Sequence, residues 1–214
     1  MINKSVIKVK SSWGHEIENL YLTNSPKSDS LVVLFPGSGY ICDKPLLYYA
    51  RKATLLYGCD VLSLEYGYFR SNEEPSLDFK DRIVKESYEA VELCLSKSYE
   101  NIYFISKSLG TVVAGEVSEL IGYEKVKNLF LTPTKDTVKH ILKSRCSIVV
   151  GTKDKFFTKG DIETVTNSSV SVHIIENAVH SLEVDDDYTK SIHILSEVTN
   201  ICADFVRSNH KERG

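Results

Sequence analysis

Four short apolar runs constrain this chain more than any other feature: Leu31–Phe35 (LVVLF), Val61–Leu64 (VLSL), Ile102–Ile105 (IYFI) and Ile148–Val150 (IVV). Each is too short for a helix, is rich in β-branched or aromatic residues, and ends in Gly, Pro, Ser or Tyr. Runs without a polar face predict central strands covered on both sides, as in a parallel sheet. Leu129–Thr132 and Val170–Ile175 fit the same pattern. Helical periodicity fills the intervals. From Ser76 onward Phe79, Ile83, Val84, Tyr88, Val91 and Leu95 share one helical face, and from about Asp187 so do Tyr188, Ile192, Leu195, Val198, Cys202 and Phe205. Asp43 is placed to cap a helix with Pro45 in its first turn, and Gly58 stands where a C′ glycine belongs. Only the start departs: Val6–Lys10 and Ile17–Thr23, around Trp13-Gly14, predict an antiparallel hairpin. A hairpin followed by alternating strands and helices is an α/β, doubly wound sheet with helices on both faces.

Composition narrows the class. A chain of 214 residues can bury a core without disulfides or metals. At about 150 residues per domain, and with no repeat or linker, it predicts one domain over 1–214. Apolar residues at 42% and charged residues at 26% argue against a disordered or fibrous chain. The balance of 26 Lys+Arg against 29 Asp+Glu, with no basic stripe, argues against a nucleic-acid partner. The five cysteines (Cys42, Cys59, Cys94, Cys146, Cys202) are odd in number, dispersed and without a CxxC. They predict free buried thiols in a reducing compartment, not a disulfide framework or zinc site. The first residues lack an apolar signal-peptide core, and no 18-residue apolar run exists, so a cytoplasmic protein without a membrane span is expected.

In an open α/β sheet, sites gather at the carboxyl ends of the strands. After the first run comes Pro36-Gly37-Ser38-Gly39-Tyr40. After the third comes Ser106-Lys107-Ser108-Leu109-Gly110, leading directly into Thr111-Val112-Val113-Ala114, a helix start. Gly151-Thr152-Lys153-Asp154 follows the fourth, and Glu176-Asn177-Ala178-Val179-His180 follows Val170–Ile175. A Ser, an Asp and a His thus follow three strand ends in that order. The Ser has small neighbours at −2 (Ser106) and +2 (Gly110), as a sharp nucleophile elbow needs, because bulky side chains would strike the adjacent strand and helix.

On these residues the sequence resembles the α/β-hydrolase fold superfamily, in particular its small cap-less members such as dienelactone-hydrolase-like esterases. The resemblance covers nearly the whole chain and implies an eight-stranded, mostly parallel sheet with the second strand antiparallel. It implies Ser108 as nucleophile, Asp154 as the acid and His180 as base. The oxyanion donors it implies are the Leu109 N–H and one N–H of the Gly37–Tyr40 turn (Gly37, Ser38, Gly39, Tyr40), foremost that of Ser38. The implied activity is serine hydrolysis of an ester or related acyl bond of a small molecule, with no metal or organic cofactor. Two departures stand out. The elbow begins with Ser106 where the family usually has Gly, and Pro36-Gly37 replaces the usual His-Gly. The second departure keeps open an alternative, a non-catalytic ligand-binding protein of the same fold.

Rival residues read differently. Ser106 would lie inside the strand end, and Lys107 reads as a solvated charge. Asp136 begins a helical stretch, and Asp161 reads as an N-cap ahead of Ile162. His15, His140, His193 and His210 fall in the hairpin or on helices, and His173 lies within a strand. Asp185-Asp186-Asp187 lacks the alternating pattern of a calcium loop and suits a helix N-terminus. Gly37-Ser38-Gly39 has Cys42 where a dinucleotide fingerprint has its third Gly. Between Thr132 and Ser147 the single helical stretch Lys135–Lys143 leaves no room for a lid. The covers that remain are the Gly67–Pro75 surface loop with Tyr68 and Phe69, Tyr40, and Phe156-Phe157, unless these aromatics belong to the core. A shallow cleft favouring short acyl chains follows.

Overall fold

A computed structural model describes residues 1–26, 28–71, 73, 78–166 and 170–207. Strands β1 (Ile2–Lys10) and β2 (Glu16–Asn24) form the hairpin. Strand β3 (Ser30–Phe35), helix α1 (Pro45–Leu56), β4 (Asp60–Ser63), α2 (Phe79–Leu95), β5 (Asn101–Lys107), α3 (Leu109–Ile121) and β6 (Val126–Leu131) then alternate. They are followed by α4 (Val138–Ile141), β7 (Arg145–Gly151), α5 (Lys159–Thr166), β8 (Ser171–Ile175) and α6 (Tyr188–Arg207). One eight-stranded sheet runs in the order β1-β2-β4-β3-β5-β6-β7-β8. Strand β2 is antiparallel to both neighbours, and every pair from β4 to β8 is parallel.

The apolar runs are buried on both faces because each face has its own helical layer. Leu31, Val33, Phe35, Phe104, Ile148 and Val150 pack toward α2 and α3 with Ile83, Val91, Val113 and Val117. Their alternates Val32, Leu34, Tyr103, Ile105 and Val149 pack toward α1 and α6 with Leu46, Leu47, Val198 and Cys202. Each fully buried side chain of this kind stabilises by about 1.5–3 kcal/mol, so two such layers hold the central strands rigid. The hairpin turn is tied to α2 by a buried carboxylate. Glu86 accepts from Ser12 N at 2.5 Å, Ser11 Oγ at 3.3 Å and Gly67 N at 3.4 Å. The five cysteines are free. Among the described residues, no helix is long and apolar enough to cross a membrane.

Four local expectations need correction. Asp43 does not cap α1, whose N-cap is Lys44; its carboxylate instead accepts from Arg51 Nη2 at 2.6 Å. An available guanidinium outcompetes a backbone N–H. Asp161 is the third residue of α5, where it accepts from Thr158 N at 2.8 Å and Thr158 Oγ1 at 2.7 Å. On α6, Tyr188 and Ile192 are exposed, and the buried stripe is Ile194, Val198, Cys202 and Val206. The stretch beginning at Gly67 is a 3₁₀ turn, Gly67–Arg70, with Gly67 buried and Tyr68 and Phe69 packed against the core. Pro75, Ser76 and His210, which entered the reading above, lie outside the described residues.

Candidate active site

The junction of β5 and α3 turns at Ser108, whose φ is 52° and ψ −119°. A non-glycine residue held there costs on the order of 1–3 kcal/mol unless its surroundings determine it. They do. Ser108 N donates to Leu131 O at 3.1 Å, while its carbonyl accepts from Thr111 N at 2.8 Å and Thr111 Oγ1 at 2.6 Å. The small neighbours are required by packing. A Cβ on Gly110 would stand 2.4 Å from Pro36 O, and one on Gly37 would stand 3.3 Å from Ser108 Cβ. Ser106 is fully buried in β5, where its hydroxyl donates to Leu129 O at 3.4 Å.

Strand β7 ends at Gly151, and a turn closed by Asp154 N donating to Gly151 O at 3.1 Å carries the Asp154 side chain inward. Strand β8 delivers a tight turn, with Leu182 N donating to Val179 O at 2.9 Å, that carries His180. Three strand ends thereby converge. His180 Nε2 lies 2.8 Å from Ser108 Oγ, and His180 Nδ1 lies 2.8 Å from Asp154 Oδ2. The second Asp154 oxygen accepts from Phe156 N at 2.8 Å, so the carboxylate cannot swing away. Its side chain is fully buried, whereas the imidazole is 23% exposed. The ring of Phe156, itself 61% exposed, leans on the imidazole at a centroid distance of 4.7 Å. Phe157 belongs to the core.

Two sets of backbone N–H groups lie close to Ser108. Leu109 N–H is the first of α3, and the opening N–H groups of a helix have no intrahelical acceptor and sit at its positive end. Gly37 and Tyr40 pair with each other, N to O at 3.0 and 3.3 Å, which removes both N–H groups from service. Gly39, at φ 66°, completes this two-residue turn and leaves the Ser38 and Gly39 N–H groups at its tip. The Tyr68 hydroxyl stands beside Ser38 Oγ and Gly39 N–H; burial pushes this phenol up, and those two neighbours oppose the shift. Tyr40 turns its own hydroxyl away, accepting from Leu46 N at 3.0 Å.

Other candidates lie elsewhere. Asp136 is exposed in the 3₁₀ turn Lys135–Thr137. Asp187 accepts from Lys190 N at 2.9 Å at the start of α6, and these bonds hold its carboxyl below the usual range. His140 is fully buried on α4, with Nδ1 2.7 Å from Tyr123 Oη. His173 is half-buried in β8, opposite Val149. Among the described residues no cluster of His, Cys, Asp and Glu is suited to a metal ion.

One site residue runs against the sequence reading. Lys107 is not a solvated charge but 2% exposed, with Nζ donating to Thr132 Oγ1 at 2.6 Å and to His180 O at 2.7 Å. A signal was available, since Lys107 closes a strand buried on both faces, where an ammonium must find acceptors. Its acceptors, however, lie 25 and 73 residues away in sequence.

No protein-family model and no curated protein matches this sequence. Solved structures do. The esterase Pf2001 of Pyrococcus furiosus superposes with a TM-score of 0.71 at 11% identity, covering 97% of this chain and 93% of that one. An α/β serine hydrolase homologue from Coxiella burnetii gives 0.66 at 16% identity over 93% and 95%. XC6422 of Xanthomonas campestris, described as an α/β serine hydrolase without lid, gives 0.67 at 11% identity over 96% and 94%. In the present chain only a 3₁₀ turn and the single short helix α4 connect β6 to β7. The strand order, the lone antiparallel β2 within an otherwise parallel run, and these superpositions together establish that this chain has the α/β-hydrolase fold, with no lid among the described residues between β6 and β7.

Proposed function

We propose that the protein is a serine hydrolase that cleaves a carboxylic ester or related acyl bond through an acyl-enzyme on Ser108. The observation that carries this reading is the continuous relay Ser108 Oγ–His180–Asp154, with both contacts at 2.8 Å, built on a strained strand–helix turn. The neutral imidazole takes the Ser108 proton at Nε2 as Oγ attacks the acyl carbon. Asp154 accepts from Nδ1–H, which fixes the tautomer and stabilises the imidazolium. The imidazolium then gives its proton to the leaving group, and a water activated by the same base releases the acid. The developing oxyanion is placed against the Leu109 N–H and, from the turn tip, the Ser38 N–H. Each such donor lowers the barrier by on the order of 3 kcal/mol.

The surroundings support a shallow acyl site. Phe157 is buried in the core, Tyr68 and Phe69 are partly buried against it with the Tyr68 hydroxyl at the Ser38–Gly39 turn, and Phe156 stands exposed beside the imidazole. Among the described residues, nothing in this wall continues each added methylene into a buried tunnel, where it would contribute about 0.8 kcal/mol. Short acyl esters are therefore the expected substrates. The test is a p-nitrophenyl ester series from acetyl to decanoyl, run on the wild type and Ser108→Ala. The expected result is a kcat/KM highest for the shortest chains and, for Ser108→Ala, a loss of roughly 10⁴-fold or more. Equal rates in wild type and variant would remove Ser108 from the reaction. A kcat/KM climbing through decanoyl would overturn the shallow site.

A further inference from the structure

Lys107 is a buried charge at the site that the hydrolytic relay does not use, and its surroundings are built for it. The ammonium has three N–H groups. Two donate, to Thr132 Oγ1 at 2.6 Å and to the main-chain carbonyl of His180 at 2.7 Å, and the ring of Tyr40 lies 5.5 Å away as a cation–π partner. Thr132, the residue after β6, is itself unusual. It is fully buried at φ 45°, a conformation that a β-branched residue adopts only under constraint, and it is held by Thr132 N donating to Val149 O at 2.8 Å. Two independent oddities, a buried lysine and a left-handed threonine, thus meet in one hydrogen bond. The same ammonium ends on the residue that supplies the imidazole. Lys107 also adjoins Ser108 in the chain, so one side chain ties the nucleophile strand, the end of β6 and the histidine turn together.

Resting on the hydrolase reading above, we propose that Lys107 is a positioning residue: its ammonium pins the main chain of His180 to Thr132 and so sets the reach of the imidazole to Ser108 Oγ. Removing the clamp leaves the histidine turn anchored by its own Val179–Leu182 and Val179–Glu183 bonds and, through Lys153 N donating to Ala178 O at 3.0 Å, to the turn after β7, none of which ties it directly to β5. A displacement of about 1 Å at such a contact is worth on the order of 100-fold in rate. Charge also matters, because charge-assisted bonds are about twice as strong as neutral ones. Burial lowers the Lys107 pKa to about 8, against the opposing pull of Asp154 and Glu183. Those two carboxylates, the Thr132 hydroxyl, the Tyr40 ring and the His180 main chain are the polar and charged groups facing it. Above that pH the two bonds persist as weaker neutral ones.

The test is the rate at which a fluorophosphonate labels Ser108, measured from pH 6 to 10 on the intact protein. For the wild type we expect a decline of about threefold to tenfold as the pH rises through 8. Lys107→Met, which keeps the length of the side chain without its donors, is expected to label about 10- to 100-fold more slowly at pH 7 and to lack that step. Thr132→Val, isosteric and leaving the Lys107–His180 bond in place, is expected to label about threefold more slowly. It serves as the second variant should Lys107→Met not fold. Labelling of Lys107→Met or Thr132→Val at the wild-type rate, or a wild-type profile flat through pH 8, overturns the clamp while leaving the hydrolase reading intact. A wild type that is not labelled at all overturns both.

Discussion

Both ends of the central sheet contain buried polar networks but use them in opposite ways. At the carboxyl ends, four non-glycine residues take positive φ: Ser108 at 52°, Thr132 at 45°, Asn177 at 61° and Leu182 at 62°. There, hydrogen bonds hold the backbone in costly conformations so that Ser108, His180 and Lys107 meet. At the amino end, Asp60 of β4 accepts from Asn24 N at 2.7 Å and Tyr99 Oη at 2.7 Å, and Tyr99 Oη is paired with Tyr21 Oη. Asn24 Nδ2 adds a bond to Cys59 O at 2.7 Å. This network joins the hairpin to the parallel part of the sheet. The difference teaches that neither buried polarity nor a positive φ alone marks a site: Ser98, at φ 57° beside Tyr99, is exposed at the amino end, whereas Ser108 and Thr132 combine positive φ with the hydrogen bonds of a buried network.

The comparison can be broken by exchanging its two costs. The largest expected effect on stability is at the base. Asp60→Ala leaves Tyr99 Oη and Asn24 N without their acceptor and should destabilise by about 2–4 kcal/mol in urea unfolding, with ester turnover by the remaining folded protein unchanged. A loss of turnover without a loss of stability would mean that the two ends are coupled. A smaller and opposite effect is expected at the rim. Ser108→Gly relieves the left-handed backbone and should raise stability by about 1 kcal/mol while abolishing turnover. If it destabilises instead, the turn is not strained.

The smallest effect sharpens the contrast with a polar residue that belongs to neither end. Burial lowers the pKa of His140, against the pull of Glu116 and Glu119. Its ring fills the space that a Cβ on Gly115 would enter at 2.3 Å. Because the folded pKa lies below the unfolded value of about 6.5, the unfolded chain takes up the proton first as pH falls. Stability from this group is therefore complete above pH 6.5 and declines below it. The slope is a fraction of the roughly 1.4 kcal/mol per pH unit that one proton can contribute. Urea midpoints of wild type and His140→Gln between pH 7.5 and 5 should converge as the pH falls. Parallel curves would contradict the assignment.

How much of this was legible in the sequence followed from where burial leaves a pattern. The runs LVVLF, VLSL, IYFI and IVV appear as β3, β4, β5 and β7 because strands covered on both faces are mainly apolar, and buried serines among them, such as Ser63 and Ser106, are hydrogen-bonded. Strand β1 begins at Ile2, earlier than the expected Val6, because its first residues are exposed and are held by pairing with β2, which leaves no hydrophobic trace. On α6, exposed Tyr188 and Ile192 imitate a core stripe that actually passes through Ile194 and Val198. At the site, Ser108, Asp154 and His180 could be picked out because each follows a strand end. Lys107, Thr132 and the strain they share could not, because those contacts depend on which strand ends become neighbours.

The central claim, that Ser108 is an activated nucleophile, is tested most directly by intact-mass measurement after exposure to a fluorophosphonate, with peptide mapping of the adduct. The account predicts one adduct per chain, located on Ser108, absent from Ser108→Ala and strongly slowed in His180→Ala. An unmodified wild type, or an adduct on Ser106 or any other residue, would contradict it.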